Sequence, residues 1–373
     1  MLSEGDVVAM SIARRQFLSS ALLSGVAYSR GAAPSKLGIP GPYRGRVVAV
    51  EHPGSVVNRK YQREAIRAML SKGMMELTGA PTAVEAWKVF VEPSDVIGIK
   101  VNPVGQPYLI STPEVLQSII ECLEQAGIKR KEIVVYDRYY AQFIGGGFDK
   151  WLPEGVRWTY ASKDVDGMQL DMDGYDPDHY MEMALVLPQA NPSNRHHRRS
   201  YVARFLTKDV SKMINLGVMK HHQSAGITVA LKNLSHGLVN NVSRSHISNS
   251  NNACGMFIPT VIDIPIIRQK CVLNIIDGVM GAYHGGPGSK VGKYLWEHKT
   301  MYFATDPVAM DRVGWTVIDN KREQSGMKPI ALAYADDDSV FTRMQPEFIE
   351  IAGALGLGES DEEKIDLKRV KLA

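Results

Sequence analysis

Within residues 219–237, MKHHQSAGITVALKNLSHG, fall Lys220, His221, His222, Lys232, Asn233 and His236. An amine inside so apolar a run as GITVALKN is expected to have a depressed pKa, because burial penalises the charged form. Lys232 could then act as a base, as a Schiff-base former or, if kept charged, as the partner of an anion. His221, His222, His236 and His246 suit proton transfer or borderline metals. No H-x-H or H-E-x-x-H spacing joins them, so spacing alone defines no zinc motif.

A second concentration is DGVMGAYHGGPGSKVGK, residues 277–293, which holds His284, Gly285, Gly286 and Gly288. Glycines let the backbone approach a ligand closely and aim N–H groups at an anion. The spacing matches neither the G-x-x-x-x-G-K-[ST] phosphate loop nor the G-x-G-x-x-G dinucleotide fingerprint. A surface loop, a lid and an anion cradle all remain open readings. No G-x-S-x-G elbow is present, which disfavours a serine hydrolase.

These groups need a frame to converge. SDVIGIKV, residues 94–101, reads as a buried strand, and STPEVLQSIIECLEQAG as a helix with Ser111 and Glu114 as a capping box, Pro113 in its first turn and Gly127 at its end. EIVVYD, residues 132–137, is the next strand, and the order strand–helix–strand predicts a right-handed parallel crossover. In a second half, KMINLGVMK and CVLNIID read as strands, and DPVAMDRVGWTVIDNKR as a helix capped by Asp306. Lys100, Asn102, Asp137, Lys220, His221 and Asp277 then all fall at strand ends, where α/β sheets place their ligands.

The expected architecture is an α/β domain over residues 43–372, with mostly parallel sheet and flanking helices. Two lobes, at about 43–140 and 206–320, are expected to enclose a cleft, with an irregular insertion at about 141–205 and a C-terminal segment at 321–372. The acidic run Asp171, Asp173, Asp176 and Asp178 lacks the downstream glutamate of a calcium loop and reads as a solvated turn. The first 33 residues carry Arg14-Arg15, then Phe17-Leu18 and a short apolar run. That pattern predicts a twin-arginine export signal, hence delivery to the periplasm by the twin-arginine translocation machinery. Membrane contact would come only through that segment if it were retained. The net charge of +3 over 373 residues is too small to suggest a nucleic-acid partner, and Arg195-His196-His197-Arg198-Arg199 reads as a solvated loop. Cys122, Cys254 and Cys271 form no C-x-x-C pair, so no cysteine-ligated iron–sulfur cluster is expected. Cys122 and Cys271 read as core residues.

The ordered motifs VIGIKVNP, TPEVLQSIIECLEQAGIKRKEIVVYD, INLGVMKHHQSAGITVALKNLSHG, LNIIDGVMGAYHGGPGSKVG, ATDPVAMDRVG and ALGLGE resemble the domain of unknown function 362 family over about residues 90–372. Its Lys-x-His element matches Lys220 and His222, and its Lys-Asn pair matches Lys232 and Asn233. The family is defined by sequence and implies no activity. Many relatives carry a ferredoxin-like cysteine segment that this chain lacks, so redox function does not carry over. A more distant, fold-level likeness is to the nickel-pincer lactate racemases.

From these residues the expected site is a cleft that binds an anionic small molecule or a metal-bearing cofactor. Lys232, His222, Lys220 and His284 are its candidate catalytic residues. Lys100, Asn102, Asn233, Gly285, Gly286 and Gly288 are candidate binding residues, and Asp277, Asp306 and His221 candidate ligands of a divalent metal. The chemistry such a set suits is proton transfer of isomerase, racemase or lyase type. The alternatives are a non-catalytic metal or cofactor carrier and a subunit of an exported complex.

Overall fold

The computed structural model describes residues 26–28, 35–333 and 341–373. Of the expected export segment, Arg14, Arg15 and the apolar run through residue 25 lie outside the described residues.

Nine strands build the main sheet: β1 (Arg46–Glu51), β2 (Ile97–Lys100), β3 (Ile133–Tyr136), β4 (Arg157–Thr159), β5 (Lys212–His222), β6 (Gly226–Thr228), β7 (Cys271–Ala282), β8 (Leu295–Ala304) and β9 (Asp366–Lys371). Their order is β9-β1-β8-β7-β5-β2-β3-β4, with β6 paired to the far end of β5. Along this path only β8 runs against the others. The central strands β2, β5 and β7 are buried along nearly their whole length, and their sequences IGIK, KMINLGVMKHH and CVLNIIDGVMGA are correspondingly apolar with little alternation.

Successive side chains leave a strand on opposite faces, and this sheet separates two apolar cores accordingly. Ile97, Ile99, Ile133, Val135, Ile214, Leu216, Leu273 and Ile275 pack on one face against α1 (Arg63–Thr78) and α2 (Pro113–Gln125). Met213, Met219, Ile276 and Val134 pack on the other against α3 (Leu231–Leu238), α4 (Cys254–Ile262), α5 (Pro307–Gln324) and α6 (Phe348–Ala354). Both stretches expected as lobes contribute strands to this one sheet, which β5 and β2 join side by side.

The expected strands and helices are present, with several differences: β7 runs on past Asp277 to Ala282, Asp176 is buried in a strand rather than in a solvated turn, and Arg195–Arg198 form a short helical turn whose arginines pair with Glu182. The helix after β2 has Thr112 at its N-cap with no side-chain cap bond. Ser111 makes no capping box with Glu114, because its hydroxyl is spent elsewhere, donating to the Leu216 carbonyl and accepting from Asn102 N–H. Gly127, at φ 104°, ends the helix by entering a region costly for other residues. The insertion contributes β4 to the main sheet and a separate antiparallel pair, Tyr175–Glu182 with Arg199–Ala203, on which Ala27–Tyr28 forms a third strand. Among the described residues no helix is long and apolar enough to cross a membrane.

Candidate functional site

The site begins as a polar row within the sheet. Lys100, Asn215 and Asn274 are register partners on the adjacent strands β2, β5 and β7. All three are buried, so each needs a partner. The chain supplies them by turning back: β5 returns as β6, with Lys220 opposite Thr228, and then enters α3 across the row. Asn233 on α3 donates to Asn215 Oδ1 at 2.7 Å, and its own oxygen accepts from Asn102 Nδ2 at 2.9 Å and from Lys100 Nζ at 3.3 Å. Asn215 donates in turn to Asn274 Oδ1 at 2.9 Å. The Lys-Asn pair of LKNLSHG is therefore fixed by a ladder of amides running from helix to sheet.

Gly237, one turn further along α3, permits this approach. A Cβ placed there would lie 2.0 Å from Lys100 Cε, so only glycine lets the lysine pass against the helix. Lys100 also forms a buried ion pair with Asp137 at 2.5 Å.

A cavity of about 230 Å³ opens beyond the carboxyl ends of β2, β3 and β5. Lys100, Asn102, Lys220, His222, Lys232 and Asn233, all expected site residues, line it together. Arg138 adds a fourth cationic side chain to the wall, whereas Asp137 is the single carboxylate there among the described residues. Lys220 donates to Asn102 Oδ1 at 2.8 Å and to the Val104 carbonyl. No hydrogen bond or ion pair holds the amine of Lys232 among the described residues, although the residue is only 4% exposed. The Thr228 hydroxyl in the same wall is likewise buried and unpartnered. Burial, reinforced by the neighbouring ammonium groups, pushes the Lys220 amine down to about 7. Burial also lowers Lys232 to about 8.

His222 is locked in one tautomer. Its Nδ1 accepts the backbone N–H groups of Ser224 at 3.2 Å and Ala225 at 3.3 Å, so the neutral ring carries its proton on Nε2. Burial first, then Lys232, hold its pKa well below the ordinary range. His222, expected from the sequence to transfer protons, thus offers the cavity a hydrogen-bond donor.

Two further histidines that the sequence marked as suited to proton transfer or a borderline metal, His236 and His246, also reach the wall. The Ser245 hydroxyl donates to the Val242 carbonyl at 2.7 Å. It must therefore accept from His236 Nε2 at 3.0 Å and His246 Nδ1 at 3.1 Å, which leaves the lone pairs on His236 Nδ1 and His246 Nε2. Cys254, the first residue of α4, lies beside them: a nitrogen of each ring and the Cys254 sulfur are all within 4.8 Å of one another. No short spacing links 236, 246 and 254, so the sequence carried no signal for this set.

The remaining expected residues lie away from the cavity lining. Asp306, expected as a metal ligand, caps α5: Oδ1 accepts Val308 and Ala309 N–H, and Oδ2 accepts Gly45 and Glu359 N–H. Asp277 accepts from the Tyr61 hydroxyl at 3.0 Å and the Thr112 hydroxyl at 2.9 Å, and burial raises it to about 6. His221 accepts Gly286 N–H at 3.3 Å and meets Met344 Sδ, while His284 Nδ1 faces Arg322. Gly286 is required by packing rather than by an anion, since a Cβ there would strike the His221 carbonyl. Neither Gly285 nor Gly288 lines the cavity, and of that loop Pro287 alone among the lining residues reaches it.

The fold and site define an α/β protein with a buried, lysine-lined cavity at the carboxyl edge of a largely parallel sheet. The chain belongs to the family described as domain of unknown function 362, whose model matches residues 97–316. No curated protein matches the chain.

Proposed function

We propose that the cavity binds a small organic anion, a carboxylate or phosphate ester, and that the protein moves a proton on it as an isomerase, racemase or lyase. The observation that carries this reading is the Lys232 amine, buried and unpartnered in a wall where Lys100, Lys220 and Arg138 face one carboxylate. Buried charges are costly unless paired, so this excess of cationic groups is the complement of an anion. An uncharged amine is also a competent base, and the donors His222, Asn102 and Thr228 are suited to charge developing on a substrate oxygen.

Calorimetric titration with inorganic phosphate and with acetate tests binding, and solvent-deuterium exchange into small carboxylates tests proton transfer. Anion affinity unchanged in Lys232→Met would sink the reading.

A second reading, a non-catalytic carrier of a metal or metal-bearing cofactor, is favoured by the meeting of His236, His246 and Cys254 at the wall. We also infer that the protein is exported by the twin-arginine route, on the strength of Arg14-Arg15 and the apolar run after them. Unchanged periplasmic delivery of the Arg14→Lys, Arg15→Lys double variant would overturn that inference.

A further inference from the structure

We propose that His236, His246 and Cys254 bind one borderline transition-metal ion of the Zn2+ type at the edge of the anion cavity. Three separate elements bring the donors together: α3 carries His236, the 3-10 turn at Ser243–Ser245 presents His246, and α4 opens with Cys254. A nitrogen of each ring and the sulfur fall within 4.8 Å of one another. Bonds of about 2.0–2.1 Å to nitrogen and 2.3 Å to sulfur put tetrahedral donors roughly 3.5 Å apart. The set therefore closes on an ion by movements on the order of 1 Å.

The donor chemistry selects the ion. Two imidazoles and a thiolate, with no carboxylate among them, suit Zn2+ and its neighbours and not Mg2+ or Ca2+, which take oxygen ligands. At the first residue of α4, a thiolate would face the positive end of the helix dipole.

The surroundings fit as well. One serine, Ser245, holds both rings by their N–H groups, the arrangement that orients histidine ligands in metal sites. The Ser235 hydroxyl meets His236 Nδ1 at 3.0 Å but has the Lys232 carbonyl at 3.4 Å as another acceptor, so the nitrogen can be released. An ion would compete with the neutral Ser235 hydroxyl for His236 Nδ1, and it would sit near Lys232 and Arg138, which after burial itself already hold both histidines low, so the thiolate of Cys254 would supply the balancing charge. Since His236 and His246 line the cavity and Cys254 lies behind them, three protein ligands would leave the ion's fourth side toward the cavity, the pattern of a catalytic rather than a structural site.

The test is titration of the full chain, freed of metal by a chelator, with Co2+ and then with Zn2+ in competition. One equivalent of Co2+ should give a thiolate-to-cobalt absorption in the near ultraviolet, displaced by Zn2+. Cys254→Ser and His246→Gln should each weaken binding by about 100-fold or more, beyond what loss of a ligand's outer partner costs. Cys122→Ser should leave it intact. Near-ultraviolet dichroism checks folding, and if Cys254→Ser does not fold, His246→Gln carries the test. Absence of the band, or a band unchanged in both variants, overturns the proposal. Phosphate binding measured on the same preparations judges the anion reading separately.

Discussion

The carboxyl of Asp311 on α5 accepts the backbone N–H of Ala230 at 2.6 Å and that of Leu231, and so caps the start of α3. Ala230 has no hydroxyl or amide to do this itself. The neighbouring Asp306 caps α5, so the two acids of DPVAMD secure two successive helices. One motif thereby positions another: α5 holds the end of the helix that carries Lys232, Asn233 and His236 into the site.

Lys232 is the sharpest test of the cavity. Its amine is buried without a partner, so Lys232→Met removes an unpaired polar group while keeping an unbranched apolar stem. The melting temperature is expected to hold or rise. Phosphate affinity is expected to fall by roughly 10- to 150-fold, the equivalent of about 1.5–3 kcal/mol for a hydrogen bond to a charged group. Differential scanning calorimetry and isothermal titration of the same variant read the two effects with opposite sign.

Gly237 tests whether helix and sheet share one lysine. A methyl group there would sit 2.0 Å from Lys100 Cε, so Gly237→Ala should push the lysine off Asp137 and lower both stability and phosphate affinity. Shortening the lysine should relieve the clash. Hence Lys100→Ala combined with Gly237→Ala should be more stable than the sum of the two single changes predicts, a coupling that a thermodynamic cycle measures.

Much of this frame was legible in the sequence because it rests on local rules. IGIK, CVLNIID and the periodic apolar face of α2 identify themselves by pattern, and the strand-end residues Lys100, Asn102 and Lys220 do line one cavity. What was hidden depends on register and on three-dimensional return of the chain. Asn215 and Asn274 are ladder members only because their strands lie side by side in that alignment. Cys254 joins two histidines because α4 packs on α3, which no spacing announces. The acids misled for the converse reason: Asp306 caps a helix and Asp277, expected at a strand end, lies within β7, and their oxygens are occupied by Tyr61, Thr112 and backbone amides.

Asp306 and Asp277 separate scaffold from site. Replacing an N-cap by alanine costs about 1 kcal/mol, and Asp306→Ala should cost more, because its second oxygen also holds Gly45 and Glu359. Asp277→Asn keeps the shape but turns one accepting oxygen into an amide donor beside the hydroxyl and backbone donors of Tyr61, Thr112 and Val279, so a lower melting temperature is expected. Neither variant should alter Co2+ stoichiometry or phosphate affinity at a temperature where it is folded. Loss of Co2+ binding in Asp277→Asn would restore that carboxylate as a ligand.

The dependence on pH has a sign that two opposed sets of groups decide. Lys220 and Lys232 lie at about 7 and about 8 in the folded chain against 10.5 unfolded. Between those values the unfolded chain holds more protons, so these lysines make stability rise with pH up to about 10. Asp311 opposes them: burial raises it to about 8, so its contribution falls as pH climbs from about 4 toward 8. Above pH 8 Asp311 no longer opposes the lysines, although the thiols of Cys122 and Cys271, raised by burial, do so from about pH 9; the free protein should still respond to pH between 8 and 10 with a more positive slope than the Lys220→Met, Lys232→Met double variant. Anion binding must show the reverse trend. A bound anion favours the ammonium form, so binding takes up protons and affinity should fall above about pH 8, by up to about tenfold per pH unit for each proton taken up. Titrations with phosphate in buffers of different ionisation enthalpy count those protons directly. Binding without proton uptake between pH 7 and 9 would place the anion away from Lys220 and Lys232.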